Sequence, residues 1–74
     1  KHPAAQSALG SLHERGLGLP QDFAEAARLY RLAADQGHAT AQFNLGFCYE
    51  QGQGVSKDVQ AAIAWYRKAA EQGD

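Results

Sequence analysis

The chain repeats itself at a fixed interval. Shifting the sequence by 36 residues lays YRLAADQG at residues 30–37 on YRKAAEQG at residues 66–73, and His2 on His38. The same shift superposes Leu9 on Leu45, Gly10 on Gly46, Glu14 on Glu50, Gly16 on Gly52, Gly18 on Gly54, Asp22 on Asp58 and Ala26 on Ala62. A period of this length restricts the fold to stacked supersecondary units, each burying its apolar face against its neighbour. Residues 1–37 form the first unit and residues 38–73 the second, and Asp74 falls in the place of His38, as the start of a third.

Each unit reads as a pair of helices. Pro3 suits the first helical position, where its missing N–H has no use, with His2 as the cap. A helix is expected over residues 3–15, with Ala5, Leu9 and Leu12 as its buried stripe. Gly16 and Gly18 then supply the positive φ that ends it. Residues 16–21 form the connection. Asp22, with Glu25 three residues on, opens a second helix over residues 23–36 in the manner of a capping box. The apolar positions of that helix, Phe23, Ala26, Ala27, Leu29, Tyr30, Ala33 and Ala34, span a wide arc and imply cover from two directions. Gly37 ends the unit and His38 begins the next. Ala41, Leu45, Cys48 and Tyr49 line one face of the third helix, and Asp58 caps a fourth whose arc includes Val59, Ala62, Ile63, Trp65, Tyr66, Ala69 and Ala70. Gly10 and Gly46 lie inside helices, where glycine costs about 1 kcal/mol relative to alanine, so they mark close helix approach. Arg31 with Asp35 and Arg67 with Glu71 stand four apart and read as exposed ion pairs.

Composition narrows the partners. The 74 residues make one small domain, near the size at which a single core only marginally offsets the entropy of ordering the chain. With one cysteine, Cys48, no intrachain disulfide can form, and the compartment stays open. Seven basic against eight acidic residues, net charge -1, give no polycationic surface for nucleic acid or an anionic membrane, and neither is expected as a partner. No apolar run approaches the roughly 20 residues that cross a bilayer, and the first residues lack a signal-peptide core. The segment reads as soluble; a leader on a longer parent would lie outside it.

The unit LGFCYEQGQGVSKDVQAAIAWYRKAAEQG closely resembles the Sel-1-like repeat, a relative of the tetratricopeptide repeat, and ALGSLHERGLGLPQDFAEAARLYRLAADQG resembles a more divergent copy. The diagnostic parts are Leu45-Gly46-x-x-Tyr49, the Gly52-x-Gly54 loop, the aromatic pair Trp65 and Tyr66, and the Ala-Ala-x-Gln-Gly close. The first copy has His13 and Leu29 where the second has Tyr49 and Trp65. The tetratricopeptide pattern shares the Leu-Gly-x-x-Tyr element but has a 34-residue period. The resemblance implies an all-α fold: two antiparallel helix hairpins, four helices in all, stacked as a right-handed α-solenoid fragment. It also implies binding of proteins or peptides, with the first helix of each pair on the concave side.

Chemistry is sparse by comparison. The loops GLGLPQ and GQGVSK do not complete a G-x-G-x-x-G phosphate cradle, and neither follows a strand. His2, His13 and His38 with Cys48 do not form a metal set, since His2 and His38 are repeat-equivalent caps and Cys48 takes the place of Leu12 on a core face. No nucleophile, base and acid recur in a usable arrangement, so no enzyme, cofactor or metal is expected, with hydrolase-like activity as a remote alternative.

The anomaly is on the third helix, where Phe43 and Phe47 point roughly opposite to Leu45, with Thr40, Asn44 and Gln51 beside them. Their counterparts in the first copy are Ser7 and Ser11. Two readings stay open. Either both rings pack on the preceding repeat, or they anchor a peptide on the concave surface together with Thr40, Asn44, Gln51, Ser7, Ser11 and Arg15. The function expected is therefore a scaffold or adaptor module, with a structural repeat that docks on further repeats or self-associates through its last helix as the alternative.

Overall fold

The structure, a computed structural model, describes residues 2–73. They form α1 (Pro3–Arg15), α2 (Phe23–Asp35), α3 (Ala39–Gln51) and α4 (Val59–Gly73), with no strand among the described residues. Asp74, the expected start of a third unit, lies outside them.

The helix ends follow local chemistry. His2 and His38 occupy the N-cap positions with extended backbone, but neither imidazole makes a capping bond; the first turn of α1 relies on Pro3. Asp22 does cap α2, its carboxylate accepting from the Glu25 N–H at 3.0 Å, and Asp58 caps α4 by accepting from the Ala61 N–H at 3.1 Å. Glu25 does not complete a capping box, because Arg28 holds its carboxylate at 2.6 Å. Instead, the Asp22 N–H donates to the His13 carbonyl at 2.9 Å and the Asp58 N–H to the Tyr49 carbonyl at 3.0 Å, closing each loop onto the helix before it. Both loops turn on glycines of near-identical backbone, with φ of 68° and 79° at Gly16 and Gly18 and 72° and 76° at Gly52 and Gly54. Arg31 and Asp35 stand 3.6 Å apart as expected, whereas Arg67 and Glu71 form no ion pair.

α1 and α2 form one hairpin, α3 and α4 the other, and α3 lies against α2, so α2 is the helix covered from both sides. Its buried residues are Ala26, Ala27, Leu29, Tyr30, Ala33 and Ala34, and the core continues into Ala41, Leu45 and Cys48 of α3. A core this rich in alanine requires close backbones. Gly10 and Gly46 provide them: a Cβ at Gly10 would lie 3.0 Å from the Tyr30 ring and 3.2 Å from the Ala26 carbonyl, and one at Gly46 would lie 2.9 Å from the Tyr66 ring and 3.2 Å from the Ala62 carbonyl.

The stripe expected on α1 is not buried. Ala5 and Leu12 are exposed and Leu9 is 41% exposed, while the equivalent Leu45 is 1% exposed and Ala41 and Cys48 are buried. These positions serve to dock a hairpin on the one before it, and no hairpin precedes α1 among the described residues. The buried positions of α1 are Ser7 and Gly10. α4 has the converse condition: Ala62 is buried, but Ile63 stands 45% exposed where the equivalent Ala27 is covered by the second hairpin.

Leucine at either helical glycine is expected to destabilise the fold by roughly 1–3 kcal/mol through overpacking, lowering the melting temperature by at least about 4 °C. Gly10→Leu is expected to cost more than Gly46→Leu, because Tyr30 is enclosed and Tyr66 can swing toward open solvent; thermal unfolding of the two variants checks the order.

Candidate functional site

On α3 the residues Thr40, Phe47 and Gln51 fall within about 40° of one another at 100° per residue, and all three are exposed. Asn44 borders them, half-buried. On α1 the same register carries Ser11, half-buried, and Arg15, exposed. α1 and α3 lie next to each other, so these six residues share one open side of the two first helices. Ser7 does not join them: it is 5% exposed, and presents nothing to a partner.

Phe43 turns away from the preceding hairpin. That side of α3 is taken by Ala41, Leu45 and Cys48. Phe47 remains 37% exposed on the open side, and Phe43, 54% exposed, turns toward α4, its ring centroid 5.2 Å from that of Tyr66. The counterpart of Phe43 in the first hairpin, Ser7, is 5% exposed. Phe43, Tyr66, Ala69 and Ala70 accordingly line an open cavity of about 380 Å³. A second, of about 420 Å³, lies beyond it between Glu50, Lys57, Val59, Ile63 and Tyr66. A third, of about 310 Å³, lies between the hairpins, with Leu45, Tyr49 and Val55 in its wall and Arg28 and Arg31 at its edge.

Polar contacts repeat as faithfully as apolar ones. The Tyr30 hydroxyl donates to Glu14 Oε1 at 2.5 Å and the Tyr66 hydroxyl to Glu50 Oε1 at 2.6 Å. Burial, and then the hydrogen bond to the neighbouring carboxylate, push both phenols up, Tyr66 to about 12 and Tyr30 further. Gln36 Nε2 donates to Gln6 Oε1 and Gln72 Nε2 to Gln42 Oε1, each at 2.7 Å. Gln42, buried, also donates from Nε2 to the Ala34 carbonyl at 3.2 Å, tying α3 to the end of α2. Arg31 crosses the same seam, its Nη1 donating to the Tyr49 hydroxyl at 3.3 Å and its guanidinium lying 5.7 Å from the Trp65 ring centroid, while Lys68 lies 5.5 Å from that ring. None of these pairs was expected from the sequence. The signal was there for the Tyr–Glu bond: Glu14 and Tyr30, like Glu50 and Tyr66, are 16 apart and unchanged by the 36-residue shift.

Nothing among the described residues groups three or more His, Cys, Asp and Glu side chains around a metal position. Burial pushes the Cys48 thiol up to about 11, which makes it a core side chain and a poor nucleophile. No described helix is long and apolar enough to cross a membrane. What the surface offers is contact area: an aromatic ring set among amide, hydroxyl and guanidinium groups.

The Sel1 repeat family model matches residues 3–38 and again 39–74. Among solved structures, a Sel1 repeat protein from Oxalobacter formigenes is 51% identical over 99% of this chain, with a TM-score of 0.96. The c5321 protective antigen of uropathogenic Escherichia coli, which displays an SLR fold, is 44% identical over 99% of the chain, also with a TM-score of 0.96. The chain spans 30% of the first and 16% of the second. No curated protein matches it.

Because the folded state keeps Tyr66 protonated to about pH 12 and the unfolded chain loses that proton near 10, stability is expected to be full below pH 10 and to fall between pH 10 and 12. Urea unfolding across that range checks it. Tyr66→Phe should flatten the decline, and Tyr30→Phe should flatten it as well.

Proposed function

Since the chain belongs to the Sel1 repeat family, whose members generally mediate protein–protein interaction, we propose that it is a display module that binds an extended peptide or a protein loop along the open side of α1 and α3. Phe47 carries this reading. It is a large ring on the open side, without a place in the core, and single exposed rings ringed by polar groups are the usual anchors of peptide recognition. Asn44, Gln51 and Thr40 would meet the peptide backbone, and Arg15 and Ser11 would extend the contact onto the first hairpin. The mechanism is positioning, and no residue is assigned to catalysis.

A second reading, docking through the last helix onto another hairpin or another copy, is favoured by a different observation. Ile63 of α4 and Phe43 of α3 stand exposed beside two cavities.

Peptides selected on the wild-type chain from a random display library are expected to lose at least about tenfold in affinity on Phe47→Ala, in the range of one aromatic anchor, with the melting temperature nearly unchanged. Equal binding by wild type and variant would remove the site. Loss of both binding and stability would return Phe47 to a packing role.

A further inference from the structure

Ala24, Ala27, Arg28 and Arg31 recur along α2 at i, i+3, i+4 and i+7, which places them on one stripe of the helix. The two alanines leave a hollow between the longer side chains, and Leu32, 40% exposed, continues the stripe as an apolar edge. This is the cavity of about 310 Å³ between the hairpins, with Leu45 enclosed beneath it and Tyr49 and Val55 in its wall. One end is fixed, because the Gly54 loop seats so closely on the start of α2 that a Cβ there would overlap the Phe23 carbonyl. Every lining residue comes from α2, α3 or the loop after α3, so two adjacent hairpins complete the hollow.

The mouth of the hollow is cationic. Glu25 holds Arg28, accepting from its Nε at 2.9 Å and its Nη2 at 2.6 Å. Arg31 is held by the Tyr49 hydroxyl, by Asp35 at 3.6 Å and by the Trp65 ring. Each guanidinium keeps one terminal nitrogen outside these contacts, Nη1 of Arg28 and Nη2 of Arg31. Lys68, over the same Trp65 ring, forms no ion pair among the described residues. Three cations therefore stand against two carboxylates, Glu25 and Asp35, around an apolar hollow. The repeat itself does not demand this set. Under the 36-residue shift Ala24, Arg28 and Leu32 become Gln60, Ala64 and Lys68, so the second helix of a hairpin is built equally well with other residues at these places.

We propose that this hollow binds a linear segment of a partner protein that presents a bulky apolar side chain next to an acidic one. The apolar side chain enters over Ala24 and Ala27 and lies against Leu32 and Val55, on a surface that offers water few hydrogen bonds. The neighbouring carboxylate accepts from the spare N–H groups of Arg28 and Arg31. A basic segment meets the same guanidiniums and is turned away. Size sets the class of occupant: about 310 Å³ is at the lower end of ligand pockets, about 300–1,000 Å³, and the hollow is open, which suits a side chain whose backbone stays outside. Because Glu25, Tyr49 and Trp65 already hold the two arginines, little of their side-chain freedom is left to lose on binding. The site is separate from the display surface, since Leu45 and Tyr49 point roughly opposite to Thr40, Phe47 and Gln51 at 100° per residue along α3.

Nuclear magnetic resonance titration of the isotope-labelled chain reads both the place and the strength of binding. The probe is the acetylated, amidated peptide Gly-Glu-Phe-Glu-Gly. It is expected to shift the backbone amides of residues 24–32 together with those of Tyr49, Gly54 and Val55. A lysine analogue, with both acids replaced, should shift nothing, and a serine analogue of the aromatic residue should bind at least about fivefold more weakly. On the protein side Arg28→Gln should weaken the peptide about threefold, the effect of one exposed ion pair. Leu32→Ser should weaken it at least about fivefold, while Phe47→Ala leaves the titration unchanged. Both Arg28 and Leu32 are exposed, and circular dichroism verifies that their variants are folded. Shifts centred on Thr40, Phe47 and Gln51 instead would overturn this site and support the display surface. Equal binding by the lysine analogue would overturn the role of the arginines. Hexanoate that shifts the same amides as strongly as the peptide would overturn a protein segment as the occupant. No shift at millimolar peptide would overturn the site and leave the reading of the open side of α1 and α3 standing.

Discussion

In each hairpin a glycine on the first helix makes room for a tyrosine ring of the second, and the rest of the stack is built outward from this contact. A helical glycine costs about 1 kcal/mol relative to alanine. In return the backbones of α1 and α2 draw together until the Tyr30 ring lies against Gly10, and the ring's burial removes far more apolar area from water than a methyl group would. The tyrosine also sets the register along the axis, because its hydroxyl must find Glu14 at the far side of the approach. Alanines then suffice elsewhere. Ala26, Ala33 and Ala34 are almost wholly enclosed, which only a thin interface allows. The same construction in α3 and α4 uses Gly46, Tyr66 and Glu50.

Much of this was legible in the residues. Caps and helical punctuation place the first two helices to within a residue, the 36-residue shift implies the second pair, and the resemblance of LGFCYEQGQG and its partner loop to a known repeat agrees with the family match and the superposed structures. What failed was burial on α1. Periodicity identifies which side of a helix is apolar, but whether that side is wet depends on a neighbour, and Leu9 and Leu45 have the same identity and opposite surroundings. The phenylalanines illustrate a related limit. Angular counting from Leu45 places Phe43 and Phe47 off the docking stripe, yet it cannot distinguish the open side from the side that faces the next hairpin, and the two rings divide between them. The glutamine contacts were hidden for a third reason: Gln42 reaches Ala34 across the seam, and such a pair depends on the axial offset between helices that no single-helix pattern encodes.

The interaction surface and the docking surfaces come from one geometry. A first helix has three sides: one toward its own partner helix, one toward the preceding hairpin, and one left over. The leftover side of α3 carries Thr40, Phe47 and Gln51, all exposed. Under the proposed reading the chain binds with one side of its first helices and stacks with the others, in keeping with the interaction role general to the Sel1 repeat family.

α2 is enclosed by α1 on one flank and α3 on the other, and this has a consequence for how the chain comes apart. Peeling away either hairpin strips one wall from Tyr30 and the alanines beside it, so the surviving pair would be left with a wet flank and little apolar area to hold it. The two repeats are therefore expected to melt together as one cooperative body despite their modular look, with the amide protons along the buried middle of α2 the last to exchange with solvent.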